Sequence, residues 1–435
     1  MKLGVIGLGY VGLTFSVVAA SKGIDIIALE KSDEIKNKLE NKQGHFFEPG
    51  LDDLINVLYN KKLFVKNNFA ISDNINIFFI TVGTPLLPNS NIPNYDYLKS
   101  ALNSIAEVYD GSQLIILRST IAVGTTRNIV IPFLSKLINK PEDEVLVAFC
   151  PERTIEGRAI QELQELPQII GANNKEALFL AENLFRKITN TVIKIDSLEA
   201  AELIKLFNNT YRDIHFAVGN VFNEIAQGYG IDGVNLIKTA NLGYSRSNIA
   251  LPGFVGGPCL EKDAYILTEN MAESTGKQFV LNSRKYNESL EDKLVNWVVK
   301  NFNINDKICI SGLAFKGVPD TSDLRGSSSI SIVKKLNKLG YLPNLHDYIA
   351  YEKDILDQLK GNYFFKFEDA VENCKALIIL NNNIRYSKLD LRVLLTHMRK
   401  EEIFILDFWS AMNNSSLNLY NNIIYKNAGN ILIDL

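Results

Sequence analysis

Lys2-Leu3-Gly4-Val5-Ile6-Gly7-Leu8-Gly9-Tyr10-Val11-Gly12 opens the chain with a short apolar run, then three glycines spaced two and three apart, and leads into the apolar helical stretch Leu13 to Ala20. Between a strand and a helix, such glycines allow a tight turn, close approach of the backbone to a pyrophosphate and close helix packing. The phosphate charge then rests on the helix N-terminus. Glu30 ends the next apolar run, Ile24 to Leu29. An acid at that place hydrogen-bonds the adenosine ribose diol and repels a 2′-phosphate, so the predicted cofactor is NAD. Gly7, Gly9, Tyr10, Val11, Gly12 and Glu30 are its expected first contacts.

Outward from this stretch, apolar runs at Ile77 to Thr81, Gln113 to Leu117 and Val145 to Phe149 alternate with helical patterns. That alternation predicts a parallel sheet covered by helices. From about Ser197 to Tyr229 the pattern is one long helix, with Leu203, Leu206, Phe207 and Thr210 near helical spacing. Near Asp306 strands restart at Lys307 to Gly312, Leu342 to Leu345, Ala376 to Leu380 and Ile403 to Leu406, with a helix over Ser329 to Leu339. The expected fold is therefore α/β, with two doubly wound Rossmann-like domains joined by a long central helix and a helical connector. Its expected parts are a cofactor domain over 1–196, a helical connector and dimerisation domain over 197–300, and a second α/β domain over 301–435. Asn381-Asn382-Asn383 and Asn413-Asn414 read as loops.

With 46 basic against 49 acidic side chains, the chain has no charge excess that would recruit nucleic acid or an anionic membrane. No apolar run approaches the roughly 20 residues that span a bilayer. Met1 leads directly into a strand without room for a signal peptide, so a cytoplasmic location is expected. Cys150, Cys259, Cys309 and Cys374 are scattered, with neither C-x-x-C spacing nor a disulfide framework, which fits a reducing compartment and no metal site.

Cys259 stands apart. In Phe254-Val255-Gly256-Gly257-Pro258-Cys259-Leu260-Glu261-Lys262-Asp263 it follows two glycines and precedes a cation and an anion. A nearby ammonium favours the nucleophilic thiolate, and a carboxylate can manage protons. Thr81-Val82-Gly83-Thr84-Pro85 and Arg118-Ser119-Thr120 end strands of the first sheet, where ligands gather in doubly wound folds, and Pro151-Glu152-Arg153 sets a carboxylate at the same edge.

Together these motifs resemble the UDP-glucose/GDP-mannose dehydrogenase family of nucleotide-sugar 6-dehydrogenases. The resemblance extends in family order through Glu48-Pro49-Gly50-Leu51, Glu202 and Lys205 with Asn209-Thr210-Tyr211, Asn223-Glu224, and Gly312-Leu313-Ala314-Phe315-Lys316 with Asp323-Leu324-Arg325. It weakens only after about Ser328. It implies an NAD-dependent, four-electron oxidation of a sugar C6 alcohol to a uronic acid, for surface polysaccharide synthesis. Cys259 would capture the intermediate aldehyde, Lys205 and Asn209 would stabilise the oxyanion, and Asp263, Thr120 and Glu152 would position or deprotonate the water, Glu152 being the preferred base. Thr84, Thr120 and Arg325 join the cofactor contacts. Glu152, Arg153, Lys205, Asn209, Arg212, Arg246, Gly253, Phe315 and Lys316 are the implied substrate contacts. A homodimer or higher oligomer through the long helix is also implied.

Pro151 to Arg158, Asn209 to Asp213 and Tyr244 to Ile249 look like the branch acting on UDP-N-acetylhexosamines, the N-acetylmannosamine and N-acetylglucosamine 6-dehydrogenases. Lys262-Asp263 instead resembles the UDP-glucose branch. The expected substrate is a UDP-N-acetylhexosamine, with UDP-glucose, then GDP-mannose, as alternatives. A two-electron β-hydroxyacid dehydrogenase shares the opening fingerprint and the long helix but needs no cysteine. A sugar-nucleotide sensor would keep the binding motifs and lose the thiol chemistry.

Overall fold

The computed structural model describes residues 1–88, 90–398, 401–412 and 421–431; Asn413-Asn414 lie outside them. The chain divides into two compact units, one of Met1–Asn208 with Tyr265–Ala272, the other of Asn209–Ala264 with Glu273–Leu435. Among the described residues each contains one sheet.

In the first unit the strands are β1 (Lys2–Ile6), β2 (Asp25–Leu29), β3 (Leu63–Lys66), β4 (Ile77–Ile80), β5 (Leu114–Leu117), β6 (Val147–Phe149), β7 (Gln168–Ala172) and β8 (Val192–Lys194). They lie in the order β3-β2-β1-β4-β5-β6-β7-β8. All neighbours are parallel except β6 and β7. The first six follow the doubly wound order, which places the ligand crevice beyond the carboxyl ends of β1 and β4, where the winding reverses. Gly7 and Thr81 follow those strands, and the Thr81 hydroxyl donates to the Gly7 carbonyl at 2.7 Å. β1, β4 and β5 are apolar and almost wholly buried because helices cover both faces. Phe15 and Phe79 stack in this core at 3.9 Å between ring centroids, beside Phe185.

The second unit repeats the logic with β9 (Ile308–Ser311), β10 (Asn344–His346), β11 (Asn362–Tyr363), β12 (Ala376–Ile379), β13 (Ile403–Asp407) and β14 (Ile423–Asn427), all parallel, in the order β11-β10-β9-β12-β13-β14. Its crevice by the same rule lies beyond β9 and β12. Gly312 to Lys316 follow the first and Asn381 to Asn383 the second. The expected long helix runs over Leu198–Gly228, beginning in the first unit and continuing into the second. The α/β fold with two wound sheets and a long helix is thus as the sequence predicts. Among the described residues, no helix is long and apolar enough to cross a membrane, and no cluster of His, Cys, Asp or Glu could hold a metal ion.

Candidate active site

The glycine turn of the first unit is built to hold a dinucleotide. A Cβ on Gly12 would fall 1.9 Å from the Gly7 carbonyl oxygen, so only glycine closes helix Tyr10–Ser21 onto β1. Gly9, at the helix N-cap, faces open space. No side chain caps that N-terminus and no acid occupies its first turn, which leaves its amides and partial positive charge suited to a pyrophosphate. Glu30 lies beside the turn, its carboxylate accepting from the Leu8 N–H at 2.8 Å and from the Ser32 N–H at 2.8 Å. These residues fit NAD. Tyr10 has a second task. Its hydroxyl donates to the Glu48 carboxylate and accepts from the Gly157 N–H, which also donates to Glu48, so the side chain ties three loops together. Burial, and then Glu48, push the Tyr10 hydroxyl far above its ordinary pKa. Val11 is half-buried, as is Thr120, while Thr84 is buried just past β4.

Also in the first unit, Glu152 is held by Arg118, a residue to which the sequence alone assigns no role. Arg118, at the end of β5, places Nε 2.7 Å and Nη2 2.6 Å from Glu152 Oε2, with both side chains buried. Its Nη1 donates to Gln168 at 3.0 Å, and its guanidinium lies 5.6 to 6.0 Å from the rings of Phe15, Phe79 and Phe185. The other Glu152 oxygen accepts from the N–H groups of Arg153 and Thr154, each at 2.7 Å. Burial alone would raise this carboxyl, but Arg118, the Thr154 amide and Lys205 outweigh it and hold Glu152 below the usual carboxylate range. Lys205 is itself buried in the first turns of the long helix. Arg153 donates to the Pro167 carbonyl.

The second unit carries the sulfur. Gly257 has φ +97°, donates its N–H to the Gly326 carbonyl at 2.6 Å, and would drive any Cβ to 2.6 Å from the Phe315 ring. The glycine pair therefore serves the packing of the 315–326 loop against the cysteine turn, which is a structural reason for glycine beyond ligand approach. Cys259 precedes helix Leu260–Thr268, and its carbonyl accepts from the Asp263 N–H at 2.9 Å. Of the four cysteines it alone is half-buried. Burial pushes the thiols of Cys150 and Cys374 up to about 12 and that of Cys309 well above its ordinary value, which makes them inert.

Around Cys259 the charges are ordered. Asp263 is buried and accepts from Asn209 Nδ2 at 2.6 Å and from Lys262 Nζ at 3.0 Å. Desolvation would lower the Lys262 pKa, yet Asp263 and Cys259 together raise it, so this ammonium stays charged and interacts electrostatically with the thiol. A fixed cation and a helix N-terminus both favour thiolate.

Each remaining expected contact of this unit has partners of its own. Phe315 packs on Gly257, and the Lys316 ammonium lies 5.5 Å from the Phe315 ring. Arg325 is paired with Asp323 at 2.6 Å. Gly253 exchanges two hydrogen bonds with the Asn220 amide, at 2.8 and 3.0 Å, and abuts Trp409. Arg246 lies over the Tyr244 ring, and Arg212 is exposed on the long helix. The cysteine turn is also held by Arg284, a residue to which the sequence assigns no role. Its signal is faint, an arginine three residues before Asn287 in an otherwise ordinary amphipathic helix.

Known proteins match most of the chain in sequence. Residues 1–189 match the NAD binding domain of the UDP-glucose/GDP-mannose dehydrogenase family, residues 199–289 its central domain and residues 309–414 its UDP binding domain. The UDP-N-acetyl-D-mannosamine dehydrogenase of Pyrococcus horikoshii is 32% identical, with 90% of this chain and 91% of that protein covered. The enzyme of the same name from Methanococcus vannielii is 30% identical over 98% of this chain and 95% of its own length. The solved structure of UDP-D-ManNAc dehydrogenase from Pyrococcus horikoshii is similar with a TM-score of 0.85, at 29% identity over 99% of both chains. The chain belongs to the UDP-glucose/GDP-mannose dehydrogenase family and is an NAD-dependent nucleotide-sugar dehydrogenase.

Proposed function

We propose that the chain oxidises the C6 alcohol of a UDP-N-acetylhexosamine, UDP-N-acetylmannosamine foremost, to the uronic acid in two steps joined by a covalent bond to Cys259. The observation that carries the reading is the placement of the one half-buried cysteine beside the charged Lys262 and the Asn209–Asp263 pair. NAD, held by the Gly7–Gly12 turn and Glu30, supplies the hydride acceptor for each oxidation. Oxidation of the alcohol leaves an aldehyde and releases a proton. The Cys259 thiolate adds to the aldehyde carbon, and the oxygen takes up a proton to give a thiohemiacetal. Loss of a second hydride and a proton leaves a thioester. Water cleaves the carbon–sulfur bond, yielding the carboxylic acid and the free thiol. Lys205 and Asn209 stabilise the oxyanions by charge and amide N–H.

For the hydrolytic step, Glu152 is the water-orienting group. Its carboxylate is ionised and already accepts from Arg118 and two amides, which suits it to fix a water more than to bind a proton. Thr120 and Asp263 are likewise assigned to the hydrolytic step. Glu152, Arg153, Arg212, Arg246, Gly253, Phe315 and Lys316 are assigned to the sugar nucleotide, and Thr84, Thr120 and Arg325 to the cofactor.

Three parts, 1–196, 197–300 and 301–435, are assigned to cofactor, connection and sugar nucleotide, supported by family matches with similar limits. A homodimer is proposed on the exposed apolar row Tyr211, Phe222, Ile225 and Tyr229 of the long helix. The uronic acid fits a building block of surface polysaccharide, made in the cytoplasm.

The choice of sugar is supported by the names of the relatives that cover nearly the whole chain. It is tested by competition. With UDP-N-acetylmannosamine, UDP-N-acetylglucosamine and UDP-glucose present together, an N-acetylated sugar should be consumed with kcat/KM on the order of 100-fold above glucose, because a site built around an acetamido group leaves buried polar groups unpaired with glucose. Preferential consumption of UDP-glucose would reject the N-acetylhexosamine assignment while leaving the four-electron route intact.

A further inference from the structure

Three buried residues of the long helix, Asn209, Asp213 and Asn220, lie four and seven residues apart and so share one face. Each governs a different point of the cysteine segment. Asn220 takes both backbone polar groups of Gly253 at its start, and Asn209 holds the Asp263 carboxylate at its end. Asp213 acts in the middle through Arg284 of helix Thr275–Asn301, a large and fully buried side chain. Arg284 Nη1 donates to Asp213 Oδ1 at 2.8 Å and to the Leu260 carbonyl at 3.2 Å, while Nη2 donates to the Val255 carbonyl at 3.0 Å. One guanidinium thus grips the backbone on both sides of Gly256-Gly257-Pro258-Cys259. Asn287, one turn further along the same helix, donates to Asp213 at its carboxylate and at its carbonyl, each at 2.9 Å.

We infer that Arg284, oriented by Asp213, is a positioning residue that fixes where the Cys259 sulfur stands, an assignment that rests on Cys259 being the covalent nucleophile. Two features favour positioning over stability. First, the planar fork is matched to three oxygens at fixed places, a geometry that an ammonium point charge cannot reproduce. Second, Asp213 Oδ2 is buried without a hydrogen-bond partner among the described residues. A buried ion pair with an unsatisfied oxygen is a poor stabilising device, and an apolar pair of similar volume often does as well. What the pair supplies is a rigid turn that carries the sulfur, and a displacement of about 1 Å at a reacting atom costs on the order of 100-fold in rate.

The test compares Arg284→Lys and the double variant Arg284→Met/Asp213→Leu with Cys259→Ser and the unaltered protein. Two rates are read, NADH formation from the sugar alcohol with the aldehyde trapped as its hydrazone, and NADH formation from the sugar 6-aldehyde itself. A third reading is the rate at which iodoacetamide alkylates Cys259. The expected result is a loss on the order of 100-fold in aldehyde oxidation in both Arg284 variants, with a changed alkylation rate and a much smaller loss in alcohol oxidation. Equal losses on the two substrates, wild-type aldehyde oxidation, or failure of both variants to fold would each overturn the positioning role. Aldehyde oxidation retained by Cys259→Ser would remove the covalent reading and this inference with it, whereas loss in Cys259→Ser with wild-type Arg284 variants would reject this inference alone.

Discussion

Cys259→Ser is expected to lower uronic acid formation by at least a factor on the order of 1,000, while the protein remains folded and still binds its cofactor. A serine hydroxyl in this place would have to ionise against a pKa far above that of a thiol. Lys262, with its ammonium already paired to Asp263, can stabilise a thiolate but cannot generate an alkoxide at neutral pH. No other sulfur can take over, because Cys150, Cys309 and Cys374 are buried and their thiols are pushed far up by desolvation. The substitution changes one atom at a half-buried position, so the loss should appear in kcat with little change in Tm. Chromatographic assay of the acid checks it, and a variant that makes acid at the wild-type rate would eliminate the covalent role.

The second large effect is expected at Lys205. Lys205→Met keeps the length and apolar stem of a buried side chain and removes only its charge. If that charge stabilises the oxyanion, kcat should fall by a factor on the order of 100 to 1,000, the usual cost of losing one preorganised donor. The ammonium also helps hold Glu152 below the usual carboxylate range, so its removal weakens the hold on the carboxylate proposed to orient the water as well. Steady-state kinetics separate the roles. A fall in kcat and kcat/KM together indicates a contact made in the transition state, whereas a rise in KM with unchanged kcat would assign Lys205 to substrate binding alone.

The strands most legible in the sequence are buried on both faces, although β7, which is equally buried, was not among those expected. β1, β4, β5 and β12 are unbroken apolar runs because both their faces are covered. β3 and β8 escaped because they are edge strands in which exposed residues such as Phe64 and Lys66, or Ile193 and Lys194, blur the pattern. β14 was hidden beside an asparagine-rich stretch.

Among the candidate site residues, the proximity of those within one short segment was legible, as in Cys259 with Lys262 and Asp263. Those defined by distant partners were not. Glu152 is 34 residues from Arg118, and they meet because β5 and β6 are neighbours with Leu117 opposite Phe149. That pairing makes this loop acid a buried, charged and fully hydrogen-bonded carboxylate. Arg284 is 71 residues from Asp213, and its value lies wholly in tertiary geometry. Tyr10 shows the converse, a residue inside the nucleotide fingerprint whose side chain is committed to Glu48 and Gly157.

Counting NADH against product tests the central claim most directly. A limiting amount of UDP-N-acetylmannosamine is taken to completion with excess NAD, and both NADH and the sugar product are quantified. Two NADH per sugar with the carboxylic acid as product is the predicted result. One NADH per sugar with free aldehyde as the end product would contradict the four-electron route through Cys259.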